Sequence, residues 1–276
     1  MPSELNHCLQ RLQTEPAVLV TVAQARGSVP RESGAWMAVF ASGMVGTIGG
    51  GHLEWDALRQ ARAHLSAPPG TPSATWAQSV ALGPSLGQCC GGVLRLRFEP
   101  VTAADTERLR EALARPLTPV ALFGGGHVGH ALVQALAPLP FEVLWVDSRD
   151  GVFPAELPGA VRAEHSDPVQ AAVRDLAPGS RVLIMSFSHA EDLDIVAACL
   201  QRQRDQADLP FVGLIGSRTK WATFRHRLEA RGFSADELAH ITCPIGLPGI
   251  TGKAPAVIAA SVVAQLLLLE HAGPDR

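Results

Sequence analysis

The apolar residues Val120, Ala121, Leu122 and Phe123 lead directly into Gly124, Gly125, Gly126, His127, Val128 and Gly129, and Ala131, Leu132, Ala135 and Leu136 then recur at helical spacing. A strand, a tight glycine turn and an amphipathic helix in that order are compatible with few folds. The spacing of Gly124, Gly126 and Gly129 matches the dinucleotide-binding turn. There the first glycine makes the turn, the second lets a pyrophosphate approach the backbone, and the third packs helix on strand. A second apolar run, 143–146, ends in Asp147, 23 positions after Gly124, where such folds set an acid on a ribose hydroxyl. The competing reading is a close-packed βα turn that binds nothing.

The chain around this turn alternates strand and helix. Strands are expected at 119–123, 141–147, 161–163, 181–186 and 211–215, and helices at 168–176, 190–202, 217–231 and 257–269. Pro255 falls in the first turn of the last helix, where its missing N–H is harmless. Such alternation predicts a mostly parallel sheet with helices on both faces, a Rossmann-like domain over 117–276. Ligands of such sheets gather at the carboxyl ends of the strands. Three polar clusters fall there: Asp147, Ser148 and Arg149; Ser186, Phe187, Ser188 and His189 with Asp192 and Asp194; and Gly216, Ser217, Arg218, Thr219 and Lys220. Ser217 and Arg218 are candidate anion ligands, the alternative being a solvated helix face. For His189 and Asp194 the alternative is a capping turn.

The N-terminal part reads as a mixed α/β domain over 1–100, joined by a polar connecting helix within 101–116. Its expected elements are a helix at 4–12, strands at 17–22, 36–40, 44–48, 74–82 and 93–98, and a helix at 53–65. A loop with two arginines, 26–35, precedes the second strand, and Arg31 is a candidate anion ligand. Gly49, Gly50 and Gly51 open the helix at 53–65, so its N-terminal dipole faces whatever lies over them. Close packing of helix on strand is the competing explanation. Cys89 and Cys90 sit at the mouth of a glycine turn, ahead of Gly91 and Gly92, a setting that leaves sulfur accessible to a soft ligand.

Composition excludes several classes. A formal net charge of -3 gives no basic footprint for nucleic acid. The apolar run 256–269 is shorter than the ~20 residues of a membrane span and reads as a buried helix. The opening residues have neither a charged leader nor an apolar core, so no secretory signal is expected. Five cysteines, an odd number without a C-x-x-C pair, make neither a disulfide framework nor a zinc site, which points to a reduced, cytoplasmic protein. The absence of tyrosine removes every mechanism with a Tyr proton donor.

Seven segments taken together, with the glycine turn at their centre, resemble the xanthine dehydrogenase accessory protein family, the XdhC-type maturation factors of molybdenum hydroxylases. They are Arg26-Gly27-Ser28-Val29-Pro30-Arg31, residues 48–54, Gly87-Gln88-Cys89-Cys90-Gly91-Gly92, the turn itself, Asp147-Ser148-Arg149, Ile215-Gly216-Ser217-Arg218 and Pro244-Ile245-Gly246. The resemblance implies a chaperone rather than an enzyme, serving purine catabolism. It would bind the molybdenum cofactor (molybdopterin), hold it during a cysteine desulfurase-linked sulfuration, and deliver it to apo xanthine dehydrogenase. The family's cysteine falls on Cys90, which would meet the molybdenum, with Cys89 as an additional thiol. Backbone N–H groups at Gly49, Gly50 and Gly51 and at Gly124 and Gly126 suit the cofactor's phosphate. Self-association into a homo-oligomer is expected from the apolar content. Two rival readings remain. One is an NAD-dependent oxidoreductase, which needs His189 with Asp192 or Asp194 as its proton-transfer pair; the other is a scaffold bridging two enzymes.

Overall fold

Residues Leu94, Leu96 and Phe98 alternate with Val93, Arg95 and Arg97, and the fold obeys the alternation: the first set is buried and the second exposed. This strand lies in the first of two units, 1–115 and 116–276, of a computed structural model that describes residues 2–68, 74–82 and 91–271.

In the first unit β1 (Ala17–Arg26), β2 (Trp36–Phe40), β3 (Gly43–Gly46), β4 (Trp76–Ala81) and β5 (Val93–Val101) form one antiparallel sheet in the order β3-β2-β1-β5-β4. Helix α2 (Gly51–Leu65) lays Leu53, Ala57 and Ala61 on one face, against Val18, Val20, Val22, Leu94, Leu96 and Phe98. The other face carries α1 (Pro2–Leu12) through Cys8, Leu9 and Leu12, and α3 (Thr106–Leu113) through Leu109. The polar helix expected to connect two domains is thus part of the first unit's core. One apolar residue, Leu109, is 1% exposed and anchors it. The 26–35 loop is closed at its base, where the Val22 N–H donates to the Ala35 carbonyl (2.8 Å) and the Gly34 N–H to the Val22 carbonyl (2.9 Å).

The second unit is a six-stranded sheet of β6 (Thr118–Phe123), β7 (Phe141–Asp147), β8 (Val161–His165), β9 (Arg181–Ile184), β10 (Phe211–Leu214) and β11 (Ile241–Thr242). Its order is β11-β10-β9-β6-β7-β8 and every pair is parallel. Helices α4 (His127–Leu136) and α8 (Pro255–His271) cover one face through Leu132, Leu136, Val262 and Leu266. Helices α5 (His189–Gln206), α6 (Arg218–Ala230) and α7 (Ala235–Leu238) cover the other. The expected α/β class, with a mixed N-terminal region followed by a Rossmann-like parallel sheet, is the class observed. Strand order reverses between β6 and β9, so the ligand crevice of such a sheet opens there.

Two local differences have physical causes. The helix expected at 168–176 is a 3-10 segment, Val169–Asp175. Its carbonyls turn to the buried guanidinium of Arg202, which donates to Val173 (2.7 Å) and Leu176 (2.8 Å) while pairing with Asp208 at 2.6 Å. Strand β11, two residues long, and helix α7, four residues long, are too short for periodicity to reveal. Among the described residues no helix is long and apolar enough to cross a membrane.

Candidate cofactor-binding site

The three fingerprint glycines have three different surroundings. Gly124 adopts φ +127°, and a Cβ there would lie 2.0 Å from the Met185 carbonyl oxygen. A Cβ on Gly129 would lie 2.0 Å from the Gly124 carbonyl oxygen. These two are glycines because backbone meets backbone. Gly126, the N-cap of α4, has an ordinary φ of -81°, and a Cβ there would meet nothing within 4 Å. The space over the start of α4 is therefore open, at a helix N-terminus that favours an anion.

Asp147 stands at the carboxyl end of β7, as expected, but the structure gives it a different task from holding a ribose. The residue is 2% exposed. Its Oδ2 accepts from the Gly125 N–H (2.5 Å) and Arg149 Nη2 (2.9 Å), and its Oδ1 accepts from the Arg149 N–H and Nε (both 2.9 Å). Burial pushes this carboxyl up, but the Arg149 guanidinium and the N–H groups of Gly125 and Arg149 outweigh it and hold it below the usual carboxylate range. Turned inward, Asp147 clamps the glycine turn to β7. In this arrangement both of its oxygens are taken by the chain's own donors.

Beyond the clamp, the ends of β7 and β9 are tied together although β6 lies between them. Ser148 Oγ donates to Glu191 Oε1 (2.6 Å), Glu191 Oε2 accepts from the Phe187 N–H (3.1 Å), and the Arg149 guanidinium lies 4.6 Å from the Phe187 ring centre. Further along, Asp192 accepts from the Ser186 N–H (2.9 Å) and hydroxyl (2.8 Å) and from Lys220 Nζ (2.6 Å), which also donates to the Ile215 carbonyl (2.9 Å). Asp194 pairs instead with Arg231 at 2.8 Å, and the His189 ring packs edge-on toward Phe224 at 6.4 Å. The proton-transfer pair expected of His189 with either acid is not assembled. Ser217 caps α6 by accepting the Lys220 N–H (3.2 Å), while Arg218 is exposed and bonds to no described residue.

In the first unit three of the motifs converge. A Cβ on Gly92 would lie 2.5 Å from the carbonyl oxygens of Arg26 and Ser28, and one on Gly49 would lie 2.6 Å from Pro30 Cβ and 3.4 Å from Arg31 Cγ. Arg31 thus stands beside the glycine run, as its candidacy required. The N–H groups of Gly49 and Gly50 are already engaged, however. Glu54 Oε2 accepts from Ile48 (3.1 Å), from Gly50 (3.2 Å) and from the Thr47 hydroxyl, while the Gly49 N–H donates to Thr47 Oγ1 (3.1 Å). The Gly49 and Gly50 N–H groups are thus taken by the Thr47 hydroxyl and the Glu54 carboxylate rather than left for an external anion. Gly51, at φ +65°, opens α2.

Cys89 and Cys90 lie outside the described residues. Of the others, Cys8 and Cys243 are pushed up to about 11 and Cys199 to about 12, each chiefly by burial, which disfavours the thiolate form. Among the described residues no group of three or more His, Cys, Asp or Glu side chains is arranged to hold a metal ion. Sequence reasoning assigned no role to Glu54, Phe187 or Glu191. The signal for Glu191 was present, since Ser188 with Glu191 three positions later is a capping pattern. Ser188 does accept the Glu191 N–H (3.2 Å), and the glutamate reaches one residue further back, to Phe187.

Comparison with known proteins agrees with this fold. Residues 120–266 match the family model described as the XdhC Rossmann domain, and residues 11–71 match that of the XdhC and CoxI family. The uncharacterized protein YqeB of Escherichia coli strain K12 is 28% identical over 267 residues, which cover 95% of this chain and 45% of YqeB. The chain thus spans about half the length of that relative. A solved structure from Bacillus halodurans, described as a xanthine dehydrogenase, superposes with a TM-score of 0.78 at 20% identity, covering 99% of this chain and 97% of that one. At that identity the likeness is one of fold.

Proposed function

The chain belongs to the XdhC family, and on that premise we propose that it is a maturation factor that binds the molybdenum cofactor as cargo and passes it to apo xanthine dehydrogenase. A cysteine desulfurase supplies the sulfur while the cargo is held. The observation that carries the reading is the open cradle at Gly126, where the start of α4 can take the cargo's phosphate without displacing any side chain. The cargo brings a phosphate, a flat pterin edge and a soft molybdenum–sulfur centre, for which the thiol of Cys90, aided by Cys89, is the chemically matched ligand. Asp147, fixed to Gly125 and Arg149, keeps the turn in the shape that leaves the cradle open. Arg218, exposed at the start of α6 in the same unit as Gly126, is a cation available to the cargo's anionic parts, whereas Arg31 of the first unit lies 3.8 Å from Glu32.

Protein purified from molybdate-fed cells should release a fluorescent pterin on denaturation and carry molybdenum measurable by mass spectrometry. Cys90→Ala should retain several-fold less molybdenum at an almost unchanged melting temperature, and Cys89→Ala should lose less. Equal molybdenum in the double variant and the parent would remove the cysteines from the mechanism.

A further inference from the structure

Phe187 is 65% exposed, more than any other large apolar side chain among the described residues. A lone exposed apolar side chain is ordinary, but this one is held on two sides. Its N–H is bound by Glu191 at 3.1 Å, and the guanidinium of Arg149 lies 4.6 Å from its ring centre. Arg149 is fixed in turn by two bonds from its side chain to buried Asp147, and Glu191 by the Ser148 hydroxyl at 2.6 Å. Arg149, just past the end of β7, thus covers one face of the ring, while Glu191 in the first turn of α5 holds the backbone that carries it. It also stands at the crevice. Gly124 packs against the carbonyl of Met185, two residues before Phe187, at the point where strand order reverses and ligands of such sheets lie.

We propose that Phe187 is the ring-stacking platform of the crevice: a flat nitrogen heterocycle carrying a phosphate lies on the open face of Phe187, with its phosphate over Gly126. The inference rests on the crevice being the cargo site, and it adds which part of a ligand is recognised where. A cation on one face of an aromatic ring leaves the other face for a second flat ring, and offset stacking of this kind changes affinity by about tenfold at most. An aliphatic side chain of similar volume at 187 supplies contact area without the ring. Because the side chain is exposed, the fold should not depend on it.

The test is calorimetric titration of the full chain with two probes, GMP, which has a fused heterocycle and a phosphate, and ribose 5-phosphate, which has only the phosphate. The parent should bind GMP more tightly. Phe187→Leu should weaken GMP about tenfold and leave ribose 5-phosphate unchanged, and Phe187→Trp should restore GMP. Equal GMP affinity in the parent and Phe187→Leu overturns the platform, as does a parent that binds the two probes equally or not at all. Should Phe187→Leu bind both probes normally but fail to activate apo xanthine dehydrogenase, the ring is a protein contact and the inference is wrong. Gly126→Val separates this from the underlying reading: a folded Gly126→Val that binds both probes like the parent contradicts the phosphate cradle itself.

Discussion

A carboxylate with four donors inside the protein has no lone pair to offer a ligand, and Asp147 is in that position. Its folded pKa is held below the unfolded one. The stability it contributes is therefore full above the unfolded value, near about 4, and is lost as pH falls through the folded value. Asp147→Asn should lower unfolding free energy at pH 7 by about 1.5–3 kcal/mol, the range of hydrogen bonds to charged groups, with the difference from the parent shrinking toward pH 2. Urea titrations at both pH values read this directly. If the acid held a ribose hydroxyl instead, the substitution would change nucleotide affinity and leave unfolding alone. The place of Asp147 was legible from the apolar run before it, but its direction was not. Arg149, two residues on, is the nearest strong donor, and nothing in the spacing tells whether such a neighbour or a ligand claims the carboxylate.

The strand–turn–helix at 118–136 was legible because period-2 and period-3.6 patterns meet at glycines. What the three glycines do separately depends on backbone atoms brought from elsewhere. Gly124→Ala and Gly129→Ala each drive a Cβ to 2.0 Å from a carbonyl oxygen and should cost about 1–3 kcal/mol or more, as overpacking does. Gly126→Ala should cost no more than about 1 kcal/mol, the loss of a favoured N-cap residue. Thermal unfolding of the three variants ranks them, and a Gly126→Ala as damaging as Gly129→Ala would mean that the cradle is filled. The 3-10 segment at 169–175 and the filled turn at Gly49 and Gly50 stayed hidden for the same reason. Arg202, 29 positions from Val173, and the Glu54 carboxylate satisfy backbone groups that local sequence leaves open.

Each of the two units has its own sheet, its own cores and its own part of the motif set. The first gathers the loop at 26–31 against Gly49 and Gly92, next in sequence to the cysteine pair, and the second holds the open turn at Gly126. The most direct measurement is transfer. Cofactor-loaded protein is mixed with apo xanthine dehydrogenase, the two are separated, and molybdenum in each is measured by mass spectrometry alongside the onset of xanthine oxidation. Molybdenum should leave this chain and appear on the target as activity rises. Activity that rises while the chain has never carried molybdenum or pterin, or molybdenum that stays on the chain in the presence of apo-enzyme, would contradict the account.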